Sequence, residues 1–174
     1  MCGMGETRLN KELRGMARNL GLCDEWFGKW EDTTDSQGLI DKYFEGVDFP
    51  LKYHWPSNEY IKENFGRDIL HKNNIIVDEK RSALNPDKAM VLGNSDATIR
   101  INGNSHSVIY ARDCSSLKIY AKNAAFVIVH LFETAHAEIQ AKDKSSVLAL
   151  KHSVKATVKA QGAVRIKEEL DYLE

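Results

Sequence analysis

From residue 97 onward the chain alternates apolar and polar residues in short bursts separated by turn residues. The bursts are Ala97-Thr98-Ile99-Arg100-Ile101, Ser107-Val108-Ile109-Tyr110-Ala111, Leu117-Lys118-Ile119-Tyr120-Ala121 and Phe126-Val127-Ile128-Val129-His130. They continue with Ala137-Glu138-Ile139-Gln140-Ala141, Val147-Leu148-Ala149-Leu150-Lys151 and Ala156-Thr157-Val158-Lys159-Ala160, and Val164-Arg165-Ile166 closes the run. A period of two is the pattern of a half-buried strand. Recurrence at about ten residues predicts stacked coils, because one short strand cannot bury its apolar face alone. Gly103-Asn104-Ser105, Asp113-Cys114-Ser115-Ser116, Asp143-Lys144-Ser145-Ser146 and Gln161-Gly162 supply turn chemistry between the strands.

Alternation also sorts the faces. Taking flanking and central positions as inward gives Ala97/Ile99/Ile101, Leu117/Ile119/Ala121, Ala137/Ile139/Ala141 and Ala156/Val158/Ala160. These sets are near copies spaced about twenty residues apart, which fits two strands per coil better than three. Their outward partners, Thr98, Arg100, Lys118, Tyr120, Glu138, Gln140, Thr157 and Lys159, make a wet face. The intervening strands, centred on residues 109, 128, 149 and 166, are expected to turn Val108, Tyr110, Val127, Val129, Leu131, Leu148 and Leu150 outward. A contiguous apolar face of that size marks an interface. Its expected cover is the chain's own helices, in preference to a second copy in a homodimer.

The first half carries the 3.6-residue pattern instead. Leu9, Leu13, Met16 and Leu20 lie on one helical face, entered at Glu6 or Thr7 and stopped by Gly21. Asp24 is placed to cap a short helix with Trp26, Phe27 and Trp30, and Ser36 another with Leu39, Ile40, Tyr43 and Phe44, ended by Gly46. Pro56-Ser57 opens a further helix carrying Tyr60, Ile61 and Phe65. Val47 to Trp55 is expected to be extended, and Asn74–Val77 and Ala89–Gly93 to be strands. Helices this short need a surface to pack against. The fold class expected is α+β: a helical, aromatic-rich cap over 1–70 packed on a single-chain β-solenoid (a β-helix) over 71–167, with an acidic plug at 168–174.

Composition sharpens that division. Ten of the 15 Phe, Trp and Tyr residues precede residue 66, and are best used as the bulk of a small core. Residues 95–167 hold 11 Lys and Arg against five Asp and Glu, whereas the last seven hold four acids and no base. The basic excess opens a second reading, contact with RNA or DNA. Arg100, Lys118 and Lys159 with interleaved Tyr120, and Arg112 and Lys122 at the corners, would track a phosphate backbone along strands about 4.8 Å apart. Charged edges also keep a solenoid soluble, which needs no ligand.

Cys2, Cys23 and Cys114 are odd in number and widely spaced, with no CxxC, so neither a disulfide framework nor a zinc knuckle is expected. Cys23 reads as a small core hydrophobe. No apolar leader or long apolar run occurs, and a cytoplasmic location is the expectation. The spacing His130–Glu133–His136 invites a metal-dependent hydrolase as a third reading, but a strand-turn-strand setting spreads such ligands. Neither GxGxxG nor GxxxxGK[ST] is present, and the turns are too short for catalytic loops. No cofactor, metal or catalytic residue is expected.

Gly21-Leu-Cys-Asp-Glu-Trp-Phe-Gly-Lys-Trp30, Leu39-Ile-Asp-Lys-Tyr-Phe-Glu-Gly-Val-Asp-Phe49 and Ile69-Leu-His-Lys-Asn-Asn-Ile-Ile-Val-Asp78 resemble a group of small phage and mobile-element proteins of gut-type bacteria. The likeness runs over nearly the whole chain and brings no activity with it. The repeats are also similar, in general form, to bactofilins and other short-rung solenoids, which lack the aromatic front. The first resemblance implies a viral setting and a non-enzymatic protein that binds a host or phage protein, including components of host defence.

Overall fold

The computed structural model describes residues 3–30 and 35–174, and Cys2 lies outside them. The chain divides into two compact units, residues 1–69 and 70–174. Among the described residues, six helices precede eleven strands, and the fold class is α+β with a parallel β-solenoid.

The helices are α1 (Gly3–Asn19), α2 (Asp24–Lys29), α3 (Ser36–Glu45), α4 (Asp48–Tyr53), α5 (Asn58–Asn64) and α6 (Arg67–Lys72). Leu9, Leu13 and Ala17 are buried at helical spacing along α1. The caps differ in detail from the expected ones. Asp35 caps α3, accepting from the Gly38 N–H at 2.8 Å, so Ser36 is already helical. Cys23 precedes α2 and is exposed, which corrects its reading as a core residue. Ser57 caps α5 through the Tyr60 N–H at 3.2 Å. The stretch expected to be extended is α4: Pro50 sits in its first turn, where a missing N–H costs nothing. His54, in the left-handed region at φ 50°, ends it. The aromatic residues pack on one another. Trp30 is buried, its indole N–H donating to Asn10 Oδ1, and its ring meets Trp55 edge-on at 5.9 Å. Phe49 closes on Trp55 at 5.5 Å.

The strands are β1 (Ile75–Val77), β2 (Lys80–Leu84), β3 (Lys88–Leu92), β4 (Asp96–Ile101), β5 (His106–Ala111), β6 (Ser116–Ala121), β7 (Phe126–Leu131), β8 (His136–Ala141), β9 (Ser146–Lys151), β10 (Thr157–Gln161) and β11 (Val164–Glu168). Odd and even strands form two parallel sheets, in the orders β1-β3-β5-β7-β9-β11 and β2-β4-β6-β8-β10. Register is uniform through the middle: Ile99 pairs with Ile119 and Ile119 with Ile139, while Ile109 pairs with Val129 and Val129 with Ala149. Each coil therefore takes 20 residues, a strand and a corner twice over. The thin core between the sheets is built from Ile99, Ile119, Ile139, Ile109, Val129 and their Ala, Val and Leu neighbours.

The corners explain the Asn, Asp and Gly spacing. One corner places Asn85, Gly103, Asn123 and Asp143 at positive φ, and the other places Asp78, Gly93, Asp113 and Glu133 there. Short polar side chains and glycine are the residues that enter this region at least cost. The stacked corners also bond to each other: Asp113 Oδ2 accepts from the Gly93 N–H at 2.6 Å, and Asp143 Oδ2 from the Asn123 N–H at 3.1 Å.

Two expectations for the solenoid are corrected. Val127, Val129 and Leu131 do not face outward; all three are fully buried in the core, paired with Ser107, Ile109 and Ala111. The repeat is 109, 129, 149 with no break, and centring the fourth burst on residue 128 slipped the phase by one, which exchanges the two faces of a strand. The tail does not plug the last coil either. Tyr172 folds back onto the outer face of the odd-strand sheet, against His152 at 4.2 Å and Phe132 at 5.9 Å. Ile166, an inward position of the last coil, stays 47% exposed.

Candidate binding faces of the solenoid

The outer face of the even-strand sheet has three in-register rows. Ser82, Thr98, Lys118, Glu138 and Lys159 form the middle row, and Leu84, Arg100, Tyr120, Gln140 and Gln161 the row beside it. Lys80, Asp96, Ser116, His136 and Thr157 form the third. Parallel pairing stacks these side chains about 4.8 Å apart. Arg100, Lys118 and Lys159 are exposed, as the alternation requires, and Tyr120 is half-buried. The Arg100 guanidinium lies over the Tyr120 ring, 5.3 Å from its centroid.

This arrangement modifies the cationic strip. Lys118 and Lys159 share a row, but Glu138 stands between them. Arg100 belongs to the neighbouring row. Arg112 is withdrawn altogether: it is 2% exposed, with Nε 3.2 Å from Asp113 Oδ1. Lys122 is exposed, and at the same corner Lys142 follows it one coil later. Positive charge thus gathers where Arg100 and Tyr120 meet the corner lysines. Leu84, at the head of the same row, is 66% exposed. Sequence reading missed it because β2 lacks the alternating pattern and had no assigned strand.

The outer face of the odd-strand sheet is aromatic rather than simply apolar. Val108, Tyr110 and Leu148 face outward and are half-buried, and Leu150 is outward and buried. His130 occupies the row between Tyr110 and Leu150. Its ring stacks on Tyr110 at 4.8 Å and on His152 at 5.1 Å. His152 Nδ1 lies 2.8 Å from the Glu169 carbonyl, which only accepts, so that nitrogen carries the proton. His152 Nε2 lies 2.9 Å from His130 Nδ1, one nitrogen donating to the other. Both nitrogens of His152 are engaged, and Tyr172 covers the pair.

The third chemistry considered is dispersed by the fold. His130 lies on the odd-strand face, Glu133 at a corner, and His136 on the opposite face, bonded to Thr157 Oγ1 at 2.6 Å. The three do not converge on one point. Among the described residues, no helix is long and apolar enough to cross a membrane. Comparison with protein-family models, curated proteins and solved structures gave no match.

Proposed function

We propose that the protein is a non-enzymatic binding scaffold whose even-strand face receives an acidic surface of a protein partner. The observation that carries this reading is the outward row of exposed Leu84 and Arg100 with half-buried Tyr120, and Lys122 and Lys142 beside it. Apolar, aromatic and arginine side chains gathered on a rigid sheet are the composition of protein-interface anchors. The parallel ladder holds them in place before binding, so little ordering entropy opposes association. Corners of two to five residues leave no long loops in the solenoid on which catalytic groups could be arranged, which supports a binding role. The resemblance to small phage proteins supports a host or phage protein as the partner.

Nucleic acid is the second reading, favoured by the basic residues around Tyr120. Glu138 between Lys118 and Lys159, and the burial of Arg112, count against a continuous phosphate track. One experiment separates the two. Tagged protein is used to capture its partner from bacterial lysate with and without nuclease, and affinities are compared for Arg100→Ala, Tyr120→Ala and Glu138→Lys. A protein interface predicts nuclease-resistant capture and a loss of about tenfold or more for each alanine variant, with no gain from Glu138→Lys. A phosphate track predicts that Glu138→Lys tightens binding and steepens its salt dependence. Wild-type affinity in both alanine variants removes this face from the argument.

A further inference from the structure

The two inward isoleucines nearest the ends of the solenoid have opposite fates. Ile76 in the first coil is fully buried, whereas Ile166 in the last is 47% exposed. Beside Ile166, Ala160 and Ala163 are exposed and Val158 and Val164 half-buried. The last coil also ends both sheets, since β10 and β11 each pair on one side only. Their hydrogen bonds show which groups are left. Val147 N–H donates to Ala163 O at 3.0 Å, and Glu169 N–H donates to Lys151 O at 2.8 Å. In a parallel ladder alternate residues bond to the same neighbour. Odd-numbered residues of β11 thus bond back to β9, while Ile166 and Glu168 turn their N–H and C=O groups to the open side.

Acids and bases at this end are paired unevenly. Glu168 is held by Lys151 at 3.1 Å and Glu169 by Lys167 at 2.8 Å. The Lys167 bond keeps the Glu169 carboxyl below the ordinary carboxylate range. Arg165, exposed on the outer side of β11, has no acidic partner among the described residues. An unpaired edge is a template for another strand, and edge cations decide which strand. The outward residues of β11, Arg165 and Lys167, are both exposed and basic, which favours acidic side chains on a strand laid beside them.

We propose that the open edge of β11 accepts an extended peptide segment with alternating apolar and acidic residues, added as a further strand. Its backbone pairs with Ile166 and Glu168, its apolar side chains cover Ile166 and Val164, and its carboxylates meet Arg165 on the outer side of the same strand. Backbone pairing supplies affinity, and the alternation supplies selectivity. This site is separate from the even-strand face and does not depend on it.

The test uses the full chain and a fluorescent synthetic peptide alternating glutamate and valine, with its lysine-for-glutamate counterpart as control. Anisotropy titration is paired with amide hydrogen exchange. The expected result is selective binding of the acidic peptide, slowed exchange at Ile166 and Glu168, and an affinity loss of about tenfold or more in Arg165→Glu. Arg165 is exposed, so that variant keeps the fold. Ile166→Pro, which removes the N–H on the open side together with the exposed Ile166 side chain, is expected to abolish the slowed exchange at Glu168. Tyr120→Ala is expected to leave peptide binding unchanged, which keeps this test distinct from that of the even-strand face. No binding, equal binding of the basic peptide, protection elsewhere, or unchanged affinity in Arg165→Glu overturns the proposal. A concentration-dependent dimer that protects Ile166 and Glu168 without peptide overturns it in favour of self-association.

Discussion

Val129→Asp is expected to abolish cooperative folding of the solenoid. Val129 is fully buried, paired on one side with Ile109 and on the other with Ala149, in a core of aliphatic side chains. An unpaired carboxylate there costs several kcal/mol if ionised. That is a large share of the about 5–15 kcal/mol that typically separates folded from unfolded domains. Val129 is enclosed between the two sheets, so the carboxylate cannot reach water without parting them. Circular dichroism melting and size-exclusion chromatography would show loss of the transition or an expanded species. Val129→Ala is the milder comparison, at about 2 kcal/mol from lost methyl groups and the cavity left behind. An aspartate variant that melts like the wild type would disprove the burial of this position.

The second large effect is expected at Gly162, the residue joining β10 to β11. Its φ is +87°, and a Cβ there would stand 1.9 Å from the Ala141 carbonyl oxygen. That oxygen is backbone and belongs to the coil beneath, so it cannot swing away as a side-chain tip would. Gly162→Ala combines left-handed strain of about 1–2 kcal/mol with a displacement of the last coil. The expected total is about 2–4 kcal/mol, concentrated locally. Hydrogen exchange should quicken at Val147 and Thr157, whose N–H groups donate to Ala163 and Ala135, while amides in β4 to β7 keep their protection. Gly103→Ala shares the positive φ but meets open space, and should cost only the strain. Equal effects of the two substitutions would show that the close approach to Ala141 does not matter.

Most of the solenoid was legible because its core positions repeat a narrow chemical choice. Ile99, Ile119 and Ile139 are the same residue one coil apart, and the corners between them use the few residues that tolerate positive φ. What was not legible follows from the same physics. Phe126-Val127-Ile128-Val129 is apolar at four successive positions, so alternation alone cannot choose its inward face; only the step from Ile109 to Val129 does. β2 hides because Lys80, Arg81 and Ser82 are polar on both sides of the strand. The withdrawal of Arg112 was invisible for a similar reason. Its position in sequence is a corner, and nothing in composition distinguishes a guanidinium bonded to the adjacent Asp113 from one in solvent. Among the helices, α4 has a single turn and a half, too little for a period to show.

The constant step of 20 residues has a bearing on how this chain tolerates changes in length. Ile99, Ile119 and Ile139 stay in line only because the residues between them number the same each time. A one-residue insertion within a strand reverses every side chain beyond it, sending core isoleucines to solvent. A duplication of one whole coil does neither: it supplies two strands, two corners and a matched set of inward residues. Small slack exists at the corners, as the extra residue between β9 and β10 shows, where Ile139 pairs with Ala160 rather than with residue 159. Relatives of this chain should therefore differ by complete coils or by single residues at corners, and the length of the row that runs through Arg100 and Tyr120 should grow in steps of one strand.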